Sequence, residues 1–451
     1  MNLPETREEL IKLVNQLRSD NEKLRQRVKE LEEILKRRKI KPPPTIKPSV
    51  NSGTKNQGTE SRKQRDTAHV RKKSSEPEFT IYHAMEECPD CQVTIGGNSL
   101  AYDREVIDIP LLPAVTTRHV VIKRKCWKCG RVWIPKVDLS DQVLGKSRLG
   151  VNLTSLTNFM TEWLRVPIEK VQEYLETVYQ LEISTGVLVE LRHRVAHQGA
   201  GSHRQLQQEI RGSPVVNADE TGHRENGDNK YTWTFATPKI RYFLYQRGRD
   251  QEVVREVLGD EFEGVLCSDF YSSYNVYDGR HQRCWAHLLG DIKTEIKIYQ
   301  DHPELKQLKV EIKRLLKQGL KVQASDLELD QRHEQRRHLE NQLLQLVTPY
   351  LDKSDHPFST LAKRIDRYID ELFVYVLDPA IPTTNNEAER SLRHNVISRK
   401  ISGGTRSACG SRTKEILASL FGTWHIRNLN PLQECRQLLT NPNYAIPPPA
   451  R

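Results

Sequence analysis

The sequence predicts a multidomain protein whose largest part is a mixed α/β domain with a helical insertion. Three observations lead to this fold class. Leucines recur at every seventh position near the start, two Cys-x-x-Cys pairs follow a basic linker, and the apolar pattern changes from helical to strand-like at residue 213. A chain of 451 residues is long enough for two to four domains. We therefore expect a coiled coil, a cysteine-containing module and a helical domain ahead of the α/β domain.

Residues 1–38 carry a heptad pattern. Position d of this pattern is occupied by Leu3, Leu10, Leu17, Leu24 and Leu31. Position a is occupied by Val14, Asn21, Val28 and Leu35. β-Branched residues and a single Asn at position a favour a parallel two-stranded coiled coil. The alternative is an amphipathic helix packed on its own domain, but a linker follows and no neighbouring segment offers a core. We therefore predict a homodimer or higher oligomer through residues 1–38.

Residues 39–78 form a basic linker. The stretch 36–78 holds 13 Lys or Arg against 4 Asp or Glu, with three consecutive prolines at 42–44. Such a composition cannot bury a core and predicts disorder. The segment can track phosphates or serve only as a solvated tether. The whole chain has a net charge of +11 and a pI of about 9.1, which favours a polyanionic partner.

A metal-binding module is predicted for residues 79–137. The pairs Cys88-Pro-Asp-Cys91 and Cys126-Trp-Lys-Cys129 are separated by 34 residues. Four thiolates at such spacing can close a tetrahedral Zn²⁺ site that has no open position for chemistry. No stretch resembles a membrane span or a secretory signal, so we expect a cytoplasmic protein without membrane contact. Cysteines in that reducing compartment favour Zn²⁺ over disulfides.

The helical and α/β parts follow. Residues 138–205 have a helical pattern, which is compatible with a DNA-contacting helix-turn-helix or with a plain packing domain. Two later strands are predicted to end in an acid, Pro214–Asp219 and Gly264–Asp269. The other predicted parts are the strands Tyr231–Ala236 and Ile240–Tyr245, the helix Glu252–Leu258, a helical insertion at about 291–377, the whole α/β domain at 206–440 and a tail at 441–451.

Three acids stand out in this order of elements. Asp219 and Asp269 follow strands that can lie side by side, and Glu387 lies near the start of a later helix with Thr384 and Asn385 as candidate caps. Carboxylates of this kind hold the Mg²⁺ or Mn²⁺ ions that catalyse phosphodiester chemistry. We predict Asp219, Asp269 and Glu387 as catalytic residues and metal ligands. Glu220 would face the opposite side of its strand.

Several motifs resemble the transposases of the insertion-sequence sixty-six type, over residues from about 80 to 440. They are the two cysteine pairs, Ala218-Asp-Glu-Thr221, Ser268-Asp-Phe-Tyr271, Cys284-Trp-Ala-His287 and Thr384-Asn-Asn-Glu-Ala-Glu-Arg390. The resemblance implies an RNase H-like catalytic domain, a zinc-binding module and metal-dependent DNA strand transfer. It also implies that Asp219, Asp269 and Glu387 are the family's acidic (DDE) triad. The Cys284 and His287 pair, without further ligands, is interpreted as packing or as a polar contact beneath the active site.

Basic residues surround the third acid. Arg390 and His394 lie three and seven residues after Glu387, on the same helical face. The remaining candidates for DNA binding, next to Gly403 and Gly404, are Arg399, Lys400 and Arg406. Such side chains would position DNA through its backbone. We expect a nucleoid-associated transposase acting on transposon ends and target DNA, with possible accessory proteins of the same element. A DNA-binding regulator that no longer cuts, or a nuclease or resolvase that cuts without joining, are the alternatives.

Overall fold

The computed structural model describes residues 113–449 apart from Arg247, and isolated residues between 19 and 94. The chain divides into two compact units, one made of residues 39–112 and the other of residues 1–38 and 113–451. The heptad leucines and Cys88 lie outside the described residues. The coiled coil and the four-cysteine zinc site therefore stay predictions.

Two short strands form a hairpin around the second cysteine pair. Cys126 and Cys129 lie in its turn, where the Gly130 amide donates to the Cys126 carbonyl oxygen at 2.9 Å. Gly130 has a φ of +71°, a backbone conformation that favours glycine. The two strands are β1 (Arg124–Lys125) and β2 (Val132–Trp133).

A five-stranded mixed sheet forms the centre of the larger unit. Its strands are β3 (Val215–Glu225), β4 (Asp228–Thr237), β5 (Ile240–Gln246), β6 (Val265–Ser268) and β7 (His281–Arg283). They are arranged in the order β5-β4-β3-β6-β7, with antiparallel pairing up to β3 and parallel pairing from β3 to β7. The prediction of a mixed α/β domain, with the two acid-bearing strands as neighbours, is confirmed. The prediction that the first strand ends at Asp219 is wrong, because hairpin pairing with β4 continues it to Glu225.

A helical region precedes the sheet. Its elements are α1 (Val151–Asn158), a π-helical turn (Phe159–Trp163), α2 (Ile168–Tyr179) and α3 (Thr185–Arg211). The first three helices share a small core that includes Val171, Leu175 and Leu188. The remainder of α3 packs its buried side chains toward the sheet, with Val195, Leu206 and Ile210 in the sheet's own core. Both sequence interpretations of this region, DNA contact and plain packing, stay open.

One face of the sheet is covered by helices from both ends of the unit. They are α3, α4 (Glu252–Leu258), α11 (Ala408–Ile426) and α12 (Pro431–Thr440). The buried aromatic residues Trp233, Phe235, Phe421 and Trp424 fill the core between sheet and helices. The predicted helix Glu252–Leu258 is confirmed at both ends.

The other face of the sheet supports the predicted stretch of helices. It contains α5 (Trp285–Ile298), α6 (Glu304–Gln323), α7 (Leu329–Val347), α8 (Ser359–Arg367) and α9 (Ile369–Leu372), with 3₁₀ turns at Thr348–Tyr350 and Val374–Leu377. Another 3₁₀ turn, Ser272–Val276, packs against the first core through Tyr274. Successive residues of β6 point to opposite sides, so that Val265 and Cys267 join this core and Leu266 joins the other. The sheet is thus sandwiched between two hydrophobic cores. No helix in the described part of the chain is long and apolar enough to cross a membrane.

Two buried histidines make stability depend on pH. Burial, and then the charge of Arg412, lower the pKa of His203 to about 3, while burial, and then the charge of Arg399, lower the pKa of His223 to about 4. Between pH 6.5 and these values the unfolded chain binds protons that the folded chain does not. The contribution of each of these two histidines to the free energy of unfolding therefore falls as the pH falls, by about 2 kcal/mol at pH 5.

We test this with His203→Gln, which removes one of the two groups. Acidification from pH 7.5 to pH 5 should cost the variant about 2 kcal/mol less unfolding free energy than it costs the wild type. Urea unfolding at both pH values measures the difference, and His333→Gln, which replaces an exposed histidine of α7, is the control. An equal loss in wild type and His203→Gln would contradict the assignment.

Candidate active site

Two acids lie at the same level on neighbouring parallel strands. Asn217 of β3 pairs with Cys267 of β6. Asp219 and Asp269 each follow these partners by two residues, so the register places them side by side at one edge of the parallel part of the sheet. Both are partly exposed. The sequence prediction that these two strands bring their acids together is thus supported by the register.

The surroundings of Asp219 disfavour its negative charge. Burial, and then the negative charges of Glu220 and Asp269, raise the pKa of Asp219 to about 7, against the opposing effect of a hydrogen bond from the Glu220 amide at 2.9 Å. A cation bound nearby would stabilise the ionised form of a carboxylate in this environment. The Glu220 side chain itself is nearly buried and already paired, since it accepts from Tyr274 Oη at 2.6 Å and forms an ion pair with Arg249.

Asp269 is held in place by its own turn and by a buried arginine. The Tyr271 amide donates to Asp269 Oδ1 at 2.9 Å. Arg283 is fully buried in β7 and donates to the Asp269 carbonyl oxygen at 2.8 Å and to Glu371 Oε2 at 2.5 Å. Glu371 belongs to α9. The backbone at Asp269 is thereby connected to the helices on the second face of the sheet.

The start of the late helix α10 (Asn386–Ser402) is fixed beside β3. Asn385 precedes it, and its side-chain amide donates to the carbonyl oxygen of Ala218, directly before Asp219, at 2.6 Å. The Asn385 backbone amide donates to Cys284 Sγ at 3.2 Å. Asn385 does occupy the predicted N-cap position, but its side chain makes no capping hydrogen bond because it binds β3 instead. Its contacts bring the first turn of α10 close to the two aspartates.

Two glutamates in that first turn have different partners. Glu387, the predicted third acid, forms an ion pair with Arg241 of β5. Glu389 lies with Oε1 at 3.8 Å from His287 Nδ1. The charge of His287 acts on Asp219, and the charges of Asp269 and Glu389 act on His287. Through His287, Glu389 is linked electrostatically to the two aspartates, whereas Glu387 is engaged by Arg241.

His287 and Cys284 lie within the same cluster of charges. The neighbouring Cys284 side chain is the main cause that raises the pKa of His287 to about 9, aided by the negative charges of Asp269 and Glu389 and opposed by burial. One potential ligand atom each from Cys284, His287 and Glu389 lies within 4.8 Å of the others. The sequence interpretation of this pair, as packing or as a polar contact beneath the active site, therefore missed a third member of the cluster, Glu389. It is contributed by α10, about a hundred residues later, and no spacing within Cys284-Trp-Ala-His287 signals it.

A second histidine-carboxylate cluster, in the helical insertion, is better explained as a structural contact. His302 Nδ1 and His356 Nε2 lie 2.7 Å and 3.0 Å from the same oxygen of Glu304. The Phe358 amide donates to His356 Nδ1 at 3.1 Å, so the His356 proton is on Nε2, where it is donated to Glu304. A metal ion would need that nitrogen free. The hydrogen bond from His302, first among the causes, lowers the pKa of Glu304 to about 2.

The predicted DNA-binding residue His394 is used for internal packing. Its ring stacks on Trp163 at 4.8 Å, Arg165 donates to its Nδ1 at 3.0 Å, and its Nε2 donates to the Glu162 carbonyl oxygen at 2.8 Å. His394 does share the helical face of Glu387. That face, however, packs against the π-helical turn and β5, so His394 is engaged in contacts within the protein.

The other basic candidates are accessible. Arg390, Lys400 and Arg406 are exposed. Arg399 lines a cavity of about 370 Å³ between the β3–β4 hairpin and the end of α10. Its remaining lining residues are Gly222, His223, Arg224, Asn229, Lys230, Tyr231 and Gly403. The cavity is rich in donors, which suits an anionic ligand.

A mixed sheet with carboxylates side by side on adjacent parallel strands, near exposed basic residues, is typical of enzymes that process nucleic acids with divalent metal ions. The chain belongs to the IS66 family of transposases, since the model of that family (Transposase IS66 family) matches residues 147–413, more than half of its length. The match includes the helical region, the sheet, both aspartates and α10, and it begins after the cysteine pairs. Among curated proteins, none matches the sequence.

Proposed function

We propose that this transposase cleaves the ends of its element and joins them to target DNA by metal-dependent phosphodiester chemistry in an RNase H-like domain. The observation that carries the proposal is the register of β3 and β6, with Asp219 and Asp269 side by side. We assign the third carboxylate to the start of α10, which is bound to β3 through Asn385. Family membership supports a role in transposition but leaves the strand-transfer chemistry to be tested.

The donor set suits a hard cation. Asp219, Asp269 and an acid of α10 would hold Mg²⁺ or Mn²⁺, which prefer oxygen ligands. The sequence assigns Glu387 to the third position, but the contacts of the two glutamates favour Glu389, because Glu387 is engaged with Arg241. The metal ions would activate the attacking oxygen and stabilise the leaving oxygen.

The chain's own residues orient the DNA and keep the acids in place. Water attacks phosphorus at the transposon end and releases a 3′-hydroxyl, which then attacks a target phosphodiester in line. No protein nucleophile is required. Exposed Arg390, Lys400 and Arg406, with Arg399 at the basic cavity, would hold the phosphate backbone without reading its sequence.

The amino-terminal parts complete the proposal. Cys88, Cys91, Cys126 and Cys129 would hold a structural Zn²⁺ ion. Residues 1–38 would form a coiled coil that joins two copies, and the basic linker would bring these parts to DNA. Complete transposition would also involve accessory proteins of the same element.

The test uses labelled DNA carrying the ends of the element, an unlabelled target plasmid and the full chain. We expect cleaved ends and end–target joints with Mg²⁺ or Mn²⁺ and neither product after chelation. Cleavage without joints would favour the nuclease alternative. DNA binding without cleavage under either metal would favour the regulator.

A further inference from the structure

Three unlike metal-binding side chains meet where α5 and α10 begin. Cys284 occupies the N-cap position of α5, and His287 follows it within the first turn. Glu389 is in the first turn of α10. One potential ligand atom from each lies within 4.8 Å of the other two. The helix starts are held together by Asn385, whose amide donates to Cys284 Sγ.

The burial and hydrogen bonding of these three side chains suit a bound cation. Cys284 is 1% exposed, and its sulfur accepts a hydrogen bond from the Asn385 amide at 3.2 Å. His287 Nδ1 is buried and has no hydrogen-bond partner in the described part of the chain. It lies 3.8 Å from the Glu389 carboxylate, too far for a direct hydrogen bond. A cation coordinated here would satisfy the buried nitrogen.

The donor types define the kind of cation. A thiolate and an imidazole are softer ligands than the oxygens that Mg²⁺ prefers, and they are the usual ligands of Zn²⁺. Three protein ligands leave a fourth tetrahedral position open for water or another oxygen. The Asp219 and Asp269 pair offers only carboxylate oxygen and differs from this cluster in its preference for metals.

We propose that Cys284, His287 and Glu389 form a mixed thiolate, imidazole and carboxylate site that binds Zn²⁺ beside the oxygen-only position of Asp219 and Asp269. The cation would join the starts of α5 and α10 and fix the carboxylate of Glu389. The inference deepens the proposed function, because Glu389 is a member of both sets. Its test therefore measures metal binding separately from DNA cleavage.

The experiment titrates the metal-free full chain with Cd²⁺, a spectroscopic substitute for Zn²⁺ whose thiolate complexes absorb in the ultraviolet. Cys284→Ser is compared with Cys435→Ser, which replaces a fully buried cysteine of α12. We expect Cys284→Ser to lose one bound equivalent and part of the thiolate–Cd²⁺ absorption. The Cys435→Ser control should keep both, and the cysteines of residues 79–137 contribute equally to every form.

Glu389→Gln is the second variant, because its half-buried side chain can be replaced without opening the core. It should keep the thiolate absorption but bind the last equivalent at least about tenfold more weakly. Identical stoichiometry and absorption in wild type and Cys284→Ser would overturn the inference, as would unchanged affinity in Glu389→Gln. If DNA is never cleaved while these differences appear, the proposed function fails and the metal site stands.

Discussion

Asp269→Asn is expected to lower both end cleavage and strand transfer by at least about 10³-fold, the scale on which losing a central catalytic group acts. The replacement has nearly the same shape and can still accept the hydrogen bond from the Tyr271 amide at Oδ1. Arg283 binds the carbonyl oxygen of residue 269 and is unaffected by the change. The variant therefore removes one negative charge from the pair with Asp219 while leaving its supports intact.

The measurement compares cleaved and joined products with Mg²⁺ and with Mn²⁺, at equal DNA occupancy. Asp278→Asn, in an exposed loop after the same strand, is the matched control and should retain activity. DNA binding should survive in both variants, because basic residues elsewhere hold the backbone. Activity of Asp269→Asn near that of the wild type would remove Asp269 from the proposed site.

The part of the site that the sequence predicts well is the part specified by local pattern. A run of apolar residues before Asp219 and another before Asp269 indicate buried strands, and buried strands next to each other in a parallel sheet align their ends. The helix Glu252–Leu258 is likewise predicted at both ends, since its apolar residues and the following Gly259 are local signals. What local pattern does not give is strand length, and β3 continues past Asp219 because of its hairpin with β4.

The errors arise where a side chain has two partners available. Asn385 before a helix is a normal capping residue, but the carbonyl oxygen of Ala218 lies within its reach and accepts its amide. Helical spacing correctly predicts that His394 shares the helical face of Glu387, but spacing does not say what that face contacts. On this face His394 contacts Trp163 and Glu387 contacts Arg241, and each partner is more than 140 residues away in sequence.

Glu387 and Glu389 show why the choice of the third acid needs the structure. They are two residues apart in a helix, which separates their side chains by about 200°. Both satisfy the sequence requirement for an acid early in the late helix. Only contacts distinguish them, because Arg241 neutralises one while the other faces the histidine that interacts with both aspartates.

We therefore expect the two variants to have different defects: Glu389→Gln should lose activity, and Glu387→Gln should lose stability. Glu389→Gln should reduce joined products by about 10²-fold or more while changing stability little, since its carboxylate makes no close ion pair with Arg or Lys among the described residues. Glu387→Gln should stay within a few-fold of wild-type activity. It should lose about 1–3 kcal/mol of unfolding free energy, because Arg241 is only 12% exposed and would lose its charged partner.

Strand-transfer rates and urea unfolding of the same two preparations decide the matter. Each variant serves as the control for the other, since both replace a carboxylate by an amide in the same helical turn. An inactive but stable Glu387→Gln, together with an active Glu389→Gln, would restore the assignment made from sequence. Arg241 would then have to release Glu387 when DNA and metal bind. In that case Arg241→Gln should be more active than the wild type. The assignment to Glu389 predicts no such increase.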